Sequence, residues 1–417
     1  MAYTATSMNI SMIPAFLIGG GVDDGLNVPL TLLIVFGAAK LLAEAFEWMG
    51  QPGVVGEILA GVALGPGLLG WIAPNESLKT LADLGVLFLL FRVGMEMKPS
   101  ELIRLGGKAT GVAVAGVVVP FLMGWGLAAW YGSRMIEAVF VGTALVATSV
   151  GITAQVLAAR GLLKEKASQM ILAAAVVDDV LGLLVLAAVS GSAAGEFDWR
   201  KLLLTSGLAV GFVLAALFWG APMMKRVGPV LDRKMRAAES QLTVAMVALF
   251  ALSVLAEFAG VAAIVGAFLA GMILAESASE KIRDVAHGTT ELLVPFFLVS
   301  IGLQVDLHAF SDPRLVWVTV ALTVAAVVSK IAGCGLAALP MGKKDAWRIG
   351  VGMVPRGEVG MIVAQMGLAA GALGRPAFAA VVMMAAATTM VAPPLIKMAF
   401  AGVAPAGEKA EEVLRLG

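Results

Sequence analysis

Hydrophobic residues in this chain form long runs, separated by short stretches rich in polar residues, glycine or proline. A run of roughly 20 apolar residues is long enough to cross a lipid bilayer as a helix. The pattern predicts an all-α polytopic membrane protein with about thirteen transmembrane helices. The predicted spans are Asn27–Trp48, Val54–Ile72, Leu78–Met97, Gly107–Tyr131, Ile136–Ala159, Ser168–Ser190, Leu202–Met224, Gln241–Phe258, Val261–Leu274, Thr290–Leu303, Leu315–Leu339, Ala346–Leu373 and Phe378–Phe400.

Composition supports this prediction. Hydrophobic residues make up 60% of the chain and charged residues 14%, and the mean hydropathy is +0.94. These values exclude an ordinary soluble domain and a disordered chain. The 49 glycines favour closely packed helices. One cysteine excludes an internal disulfide and a cysteine-based metal cage. We expect no enzyme activity, no cofactor, no nucleic-acid partner and no resident metal ion.

The charges in the loops predict the orientation of the chain. Loops after odd-numbered spans, together with the C-terminal tail, carry 19 of the 29 Lys and Arg residues, and loops after even-numbered spans carry 6. Cytoplasmic loops are enriched in Lys and Arg. We therefore expect a multi-pass protein of the plasma membrane, with its N-terminus outside and its C-terminus in the cytoplasm.

Two predicted spans contain residues that break helices. The fifth holds VATSVGIT from Val146 to Thr153, and the twelfth holds MVPRGEVG from Met353 to Gly360. Non-helical backbone at membrane depth is tolerated only inside protein or beside a watery cavity. The two breaks are seven spans apart, so the broken helices cross the membrane in opposite directions. This predicts two inverted repeats of six spans joined by the seventh, the arrangement typical of a secondary transporter.

The sixth span carries two adjacent carboxylates, Asp178 and Asp179, at its midpoint. A charge at the bilayer centre costs at least about 2.5–3.5 kcal/mol, and intramembrane ionisable residues are functional sites by default. A soluble helix capped by the aspartates is disfavoured by the apolar residues on both sides. We therefore predict that Asp178 and Asp179 form the functional site.

Further charges inside predicted spans are Lys330, Arg356 and Glu358. Lys330 either extends to the cytoplasmic interface or pairs with a buried carboxylate, which is the stronger interpretation because a lone buried ammonium is unfavourable. Arg356 and Glu358 lie in the second break, where they are expected to compensate helix-dipole ends and free backbone groups.

Other charged residues are predicted to have local roles. Arg92 and Glu96, four residues apart on the third span, are expected to form an ion pair. His287 and His308 are expected to be solvated loop residues outside any metal site.

Two other classes of protein use carboxylates in membranes. An intramembrane aspartyl protease needs two facing aspartates, but adjacent helical residues point about 100° apart and cannot form that dyad. A cation channel uses carboxylates and broken helices as well. Channel pores usually repeat around an axis along the membrane normal, whereas these halves are predicted to be inverted, so the channel is the weaker alternative.

Several motifs together resemble a known family. QPGVVGEILAGVALGPGLLG, LGVLFLLFRVGMEM, VATSVGITAQVL, AAAVVDDVLGLLVLA, PFFLVSIGLQVDL, VVSKIAGCG and PRGEVGMIVAQMG are similar to successive signatures of the second monovalent cation:proton antiporter family, above all to NapA-type bacterial sodium/proton antiporters. The resemblance extends from about Gln51 to Phe400.

The resemblance implies the sodium/proton antiporter fold and a homodimer that works by elevator-like alternating access. A dimerisation domain (1–106 and 238–313) would support a moving core transport domain (107–191 and 314–402). A linker helix with a basic cytoplasmic loop (192–237) and a short cytoplasmic tail (403–417) complete this division.

The resemblance also implies residue roles. Asp179 matches the ion-binding, proton-carrying aspartate, and Asp178 matches the acid that pairs with the lysine at Lys330. Thr148 and Ser149 match the unwound stretch near the ion. The Asp-Asp pair and the lysine favour electrogenic exchange of Na⁺ or Li⁺ for H⁺, with a role in pH homeostasis. Because sodium entry would break the Asp178–Lys330 pair and release a proton from Lys330, we hypothesise a ratio of two protons per sodium. K⁺/H⁺ exchange within the same family is the alternative.

Overall fold

The computed structural model describes residues 28–193, 199–220, 222–223, 240–275, 279–305 and 313–403. These residues form fifteen α-helices, with a π-helical turn at Ala216–Gly220 and a 3₁₀ turn at Leu339–Met341. The helices are α1 (Val28–Trp48), α2 (Gly53–Leu64), α3 (Glu76–Met95), α4 (Pro99–Trp130), α5 (Met135–Val146), α6 (Val150–Ala159), α7 (Lys166–Ala193), α8 (Trp199–Ala215), α9 (Ser240–Phe258), α10 (Ala263–Leu274), α11 (Glu280–Leu303), α12 (Pro313–Ala337), α13 (Lys343–Gly352), α14 (Glu358–Ala369) and α15 (Arg375–Ala399).

The all-helical membrane architecture predicted from the hydrophobic pattern is confirmed. Within the described residues, nine helical segments are long and apolar enough to cross a membrane, and shorter apolar helices accompany them. Each predicted span coincides with one helix or with a pair of helices. Some boundaries differ: α2 ends at Leu64, because the sequence Gly65-Pro66-Gly67 cannot continue a helix, and α4 and α11 begin eight to ten residues before the predicted apolar run.

Helices that hold the same position in the two halves of the chain make similar contacts. Counted from the start of each half, α3 corresponds to α11 and α4 corresponds to α12. Helix α3 packs against α10 and α11, and its counterpart α11 packs against α2 and α3. Helix α4 packs against α5, α7 and α12, and its counterpart α12 packs against α4, α13 and α15. The first half is therefore α1–α7 and the second α9–α15, with α8 between them, as the six-plus-one-plus-six pattern predicts.

The most extensive contacts fall within two sets of helices. We call α1–α3 with α9–α11 the scaffold set, and α4–α7 with α12–α15 the core set. Contacts between the sets are sparse and run mainly through α3 with α6 and α2 with α15.

Both predicted helix breaks are present. Residues 147–149 separate α5 from α6, and residues 353–357 separate α13 from α14. Each break leaves the carbonyl end of one short helix and the amide end of the next at membrane depth, where partners must be found for their free backbone groups.

The prediction that Arg92 and Glu96 form an ion pair is wrong. Arg92 on α3 instead lies 3.5 Å from Glu291 on α11. Glu96, at the end of α3, lies 3.2 Å from Lys164 and 3.9 Å from Arg283. Because α3 packs between neighbouring helices, partners on other segments replace the i,i+4 partner.

The loop assignment of His287 is also wrong. His287 is part of α11, which begins at Glu280, and its Nδ1 lies 3.9 Å from Glu291 Oε1. The histidine remains exposed, since about 56% of its side chain is accessible. His308 lies outside the described residues.

Candidate functional site

The two breaks cross each other at the centre of the core set. The backbone amide of Ser149 in the first break donates a hydrogen bond of 2.8 Å to the carbonyl of Pro355 in the second. Next to it, a Cβ on Gly357 would lie only 2.6 Å from Ser149 Oγ. Thr153 Oγ1 donates to the carbonyl of Gly352, in the last turn of α13, at 2.7 Å. The crossing is therefore held by contacts between the two unwound segments and between the helices that flank them.

Arg356 lies in the second break and is fully buried. Its guanidinium donates to the carbonyl of Met353, where α13 ends, at 3.3 Å, and to the carbonyl of Ala326 on α12 at 3.2 Å. Its backbone amide donates to Thr388 Oγ1, and Thr389 Oγ1 donates to its carbonyl. A cation beside carbonyls at a helix end is electrostatically favourable.

Asp178 and Lys330 form a buried ion pair between α7 and α12. Lys330 Nζ donates to Asp178 Oδ1 at 3.0 Å, and the two side chains are 0% and 1% exposed. A buried charge needs such a partner, because removal from water costs several kcal/mol per ion. The second oxygen of Asp178, Oδ2, has no hydrogen-bond partner among the described residues.

Asp179 faces a different environment from its neighbour. Adjacent residues of a helix point about 100° apart, and Asp179 lines a small, otherwise apolar cavity of about 10 Å³ between the core and scaffold sets. Its wall includes Val150, the residue after Ser149, and Phe268 on α10. Asp179 therefore lies where the crossing meets the boundary between the two sets.

Thr148 is also buried at the first break, and its Oγ1 has no hydrogen-bond partner among the described residues. Buried polar atoms normally have a hydrogen-bond partner, so this oxygen is an exception among the described residues. Thr148 Oγ1 and Asp178 Oδ2 are therefore two buried oxygens that have no hydrogen-bond partner among the described residues. Glu358 is the first residue of α14, and the compensating role predicted for its side chain lies outside the described part of the structure.

A larger polar cavity of about 480 Å³ opens between the two sets, where α1 ends and α2 begins. The loop charges predict that this end is cytoplasmic. Charged and polar residues of both sets form its lining: Lys40, Glu44, Glu47, Glu57 and Glu291 from the scaffold set, and Gln155, Arg160 and Lys397 from the core set. Gln155 is five residues from Val150 on α6, about 7.5 Å along the helix axis. The polar cavity therefore approaches the cavity beside Asp179.

The opposite end of this boundary is apolar. Val62 near the end of α2 and Val305 after α11 form a buried cluster with Met383 and Ala386 of α15. Such a cluster leaves little room for water, so the boundary between the sets is apolar at this end and polar at the other.

Some residues of this region were not singled out from the sequence. Glu57 on α2 is buried and accepts a hydrogen bond of 3.1 Å from Lys40 on α1. Thr388 and Thr389 hold the second break through Arg356. The sequence feature that could have indicated these residues is the occurrence of polar residues within apolar runs. No group of three His, Cys, Asp or Glu side chains within the described ranges is arranged to hold a metal ion.

Comparison with known proteins identifies relatives over nearly the whole chain. The family model for sodium/hydrogen exchanger, transmembrane, matches residues 30–402. The Na(+)/H(+)-K(+) antiporter GerN of Bacillus cereus is 33% identical over 378 residues, which cover 88% of this chain and 95% of the relative. The high-affinity Na(+)/H(+) antiporter NhaS3 of Synechocystis is 33% identical, with 96% of this chain and 94% of the relative covered.

A solved structure shares the fold. The map of the sodium proton antiporter MjNhaP1 from Methanocaldococcus jannaschii superposes with a TM-score of 0.63 and 14% sequence identity. The match covers 91% of this chain and 97% of that one. At this identity the likeness concerns the fold alone.

Proposed function

This chain belongs to the transmembrane sodium/hydrogen exchanger family, and we propose that it exchanges Na⁺ for H⁺ at Asp179, with a linked proton step at the Asp178–Lys330 pair. The protein is a multi-pass membrane protein and a cation/proton antiporter, as its relatives are. The observation that carries the residue assignment is the geometry of two adjacent carboxylates, one buried against Lys330 and one facing the boundary between the helix sets.

Competition for the same oxygens explains how the two ions are coupled. Na⁺ and H⁺ both neutralise a carboxylate, so binding of one at Asp179 displaces the other. Moving an uncompensated charge through a low-dielectric interior is unfavourable. The core set therefore reorients only when Asp179 carries one of the two ions. Broken helices support this proposal, because transporter ion sites are commonly built from helix ends and unwound carbonyls.

Asp178 and Lys330 provide a second proton. In the absence of sodium the ammonium neutralises Asp178 across 3.0 Å. When sodium enters, it attracts the carboxylate and opens the pair, and Lys330 then loses a proton. Two protons thus move for each sodium, and each cycle transfers one net charge, which makes the exchange electrogenic.

Reorientation is proposed to occur as an elevator movement of the core set along the scaffold set. The sparse contacts between the sets, the polar cavity at one end and the apolar cluster at the other support this division. The conformation described here is then the inward-facing one. We also propose a homodimer held by the scaffold set in the plasma membrane, with the N-terminus outside, which rests on the family resemblance and the loop charges.

A vesicle assay tests these proposals. The purified protein is reconstituted into proteoliposomes containing a pH-sensitive dye, and a second sample carries a voltage-sensitive dye. We expect Na⁺ and Li⁺ to dissipate an imposed proton gradient, and sodium transport to generate a membrane potential. Transport without a potential would refute the second proton step. Flux that persists without any counter-ion would instead identify a channel.

The vesicle assay also tests K⁺, because the name of one relative, the Na(+)/H(+)-K(+) antiporter GerN, contains this ion. Carboxylate and carbonyl oxygens bind either ion, so selectivity depends on the geometry of the site. A response to K⁺ with no response to Na⁺ would replace sodium exchange by the K⁺/H⁺ alternative, and equal responses would show that the protein exchanges both ions.

A further inference from the structure

Helix α4 passes directly over the buried ion pair, and the residue at the crossing point is Gly116. A Cβ on residue 116 would lie 2.6 Å from Cys334 Sγ, 3.2 Å from Lys330 Nζ and 3.7 Å from Asp178 Oδ1. The first two of these distances are shorter than ordinary van der Waals contacts. The space occupied by the ammonium and the thiol therefore exists only because residue 116 has no side chain.

The backbones of α4 and α12 approach each other closely at this level. A Cβ on Gly333 of α12 would lie 2.6 Å from the carbonyl oxygen of Ala115 and 3.1 Å from Val119 Cβ. Glycines on both helices thus face the partner helix, as in closely packed membrane helices. Because the two backbones are already in contact, a side chain at residue 116 would have to displace neighbouring side chains.

The side chains that would yield are those of Lys330 and Cys334. They are four residues apart on α12 and so lie on the same face of the helix. The nearest atom of Lys330 is the far end of a long, flexible side chain, which moves at little cost to the packing. An added methyl group is therefore expected to shift the ammonium away from its 3.0 Å contact with Asp178, with a smaller effect on the helices themselves.

We propose that Gly116 is a positioning residue for the proton step: its missing Cβ holds the ammonium of Lys330 against Asp178 and so determines how many protons accompany each cation. This inference rests on the function proposed above. It adds a residue on a third helix to the coupling machinery, one that has no polar group and touches no transported ion.

The test compares Gly116→Ala with Gly111→Ala on the same helix, where an added Cβ meets nothing within 4 Å. Both proteins are reconstituted, and sodium-driven proton flux and membrane potential are measured on the same vesicles. Gly116→Ala is expected to keep sodium-driven proton exchange but to lose most of the membrane potential per sodium. The same loss is expected of Lys330→Met under the proposed function. Gly111→Ala is expected to match the wild type in both measurements.

A second substitution tests the steric cause. Adding Cys334→Ala removes the atom closest to the new methyl group, so Gly116→Ala/Cys334→Ala is expected to regain membrane potential relative to Gly116→Ala, with Cys334→Ala alone as the reference. If Gly116→Ala does not fold, Cys334→Val fills the same space from α12 and is expected to cause the same loss.

The results for Lys330→Met and Gly116→Ala distinguish a failure of the role proposed for Gly116 from a failure of the proposed function. If Lys330→Met loses the potential while Gly116→Ala, or Cys334→Val in its place, retains it in full, Gly116 has no positioning role. If Lys330→Met also retains the potential, the proton step at the ion pair is wrong.

Discussion

The backbone amide of Ser149 and the carbonyl of Pro355 are joined by a hydrogen bond of 2.8 Å across the two broken helices. These residues are more than 200 positions apart in the chain and belong to opposite repeats. The bond satisfies two backbone groups that the breaks leave free. It also brings the first break against the second, beside the helix that carries Asp178 and Asp179.

The crossing is expected to be intolerant of a side chain at Gly357. A Cβ there would lie 2.6 Å from Ser149 Oγ and 2.7 Å from Ser149 Cβ, and such overpacking typically costs about 1–3 kcal/mol. Gly357→Ala should lower the melting temperature of the purified protein in detergent and reduce exchange. Adding Ser149→Gly should restore part of the stability.

The control is Gly207→Ala on α8, where an added Cβ meets nothing within 4 Å. It should not lower the melting temperature, because alanine is the better helix former at an unhindered position. If Gly357→Ala and Gly207→Ala melt alike, the close approach of the two breaks is not important for stability.

Asp179→Asn should abolish sodium-driven proton exchange, because the amide of Asn is neutral in every step and cannot exchange a proton for a cation. The dye response in proteoliposomes measures this directly. Asp83→Asn, at an exposed carboxylate on α3, is the matched control and should retain exchange. Persistent exchange in Asp179→Asn vesicles would move the ion site to another residue.

Removing one charge of the buried Asp178–Lys330 pair should destabilise the protein more than removing both charges. Lys330→Met leaves Asp178 without its partner and should destabilise the protein by about 3–5 kcal/mol. Lys330→Met/Asp178→Asn removes both charges and should be destabilised less. Thermal unfolding in detergent compares the two, with Lys108→Met at an exposed position of α4 as the control. A double variant less stable than Lys330→Met would contradict the pairing.

Movement between the two helix sets can be tested at Glu96 and Lys164. These side chains lie 3.2 Å apart and connect the end of α3 in the scaffold set to the loop before α7 in the core set. Glu96→Cys/Lys164→Cys is made in a Cys334→Ala background, since Cys334 is the natural cysteine of the chain. A short thiol–thiol cross-linker should stop exchange, and a reductant should restore it if the linker is cleavable.

Each cysteine variant alone, treated in the same way, serves as the control and should keep the exchange of its background. Full exchange in a completely cross-linked sample would show that the sets do not separate at this end during the cycle.

Much of this protein follows directly from its residue pattern. Apolar runs of membrane length, a charge bias between loops and two interrupted spans were enough to predict the helices, their order and the inverted halves. These features are local, because hydrocarbon requires each backbone segment to satisfy its own hydrogen bonds as a helix. The adjacent aspartates were singled out as a candidate site in the same way, since a charge within an apolar run is costly wherever the helix packs.

Tertiary structure decided which side chains meet. Arg92 bonds across to Glu291 instead of Glu96 because α11 lies beside α3, and no spacing along one helix contains that information. The different surroundings of Asp178 and Asp179, and the closeness of Gly116 to Lys330 and Cys334, likewise depend on which helices pack around α7 and α12. Sequence periodicity shows that a residue is buried, whereas the partner it is buried against is set by the packing of helices that are distant in the chain.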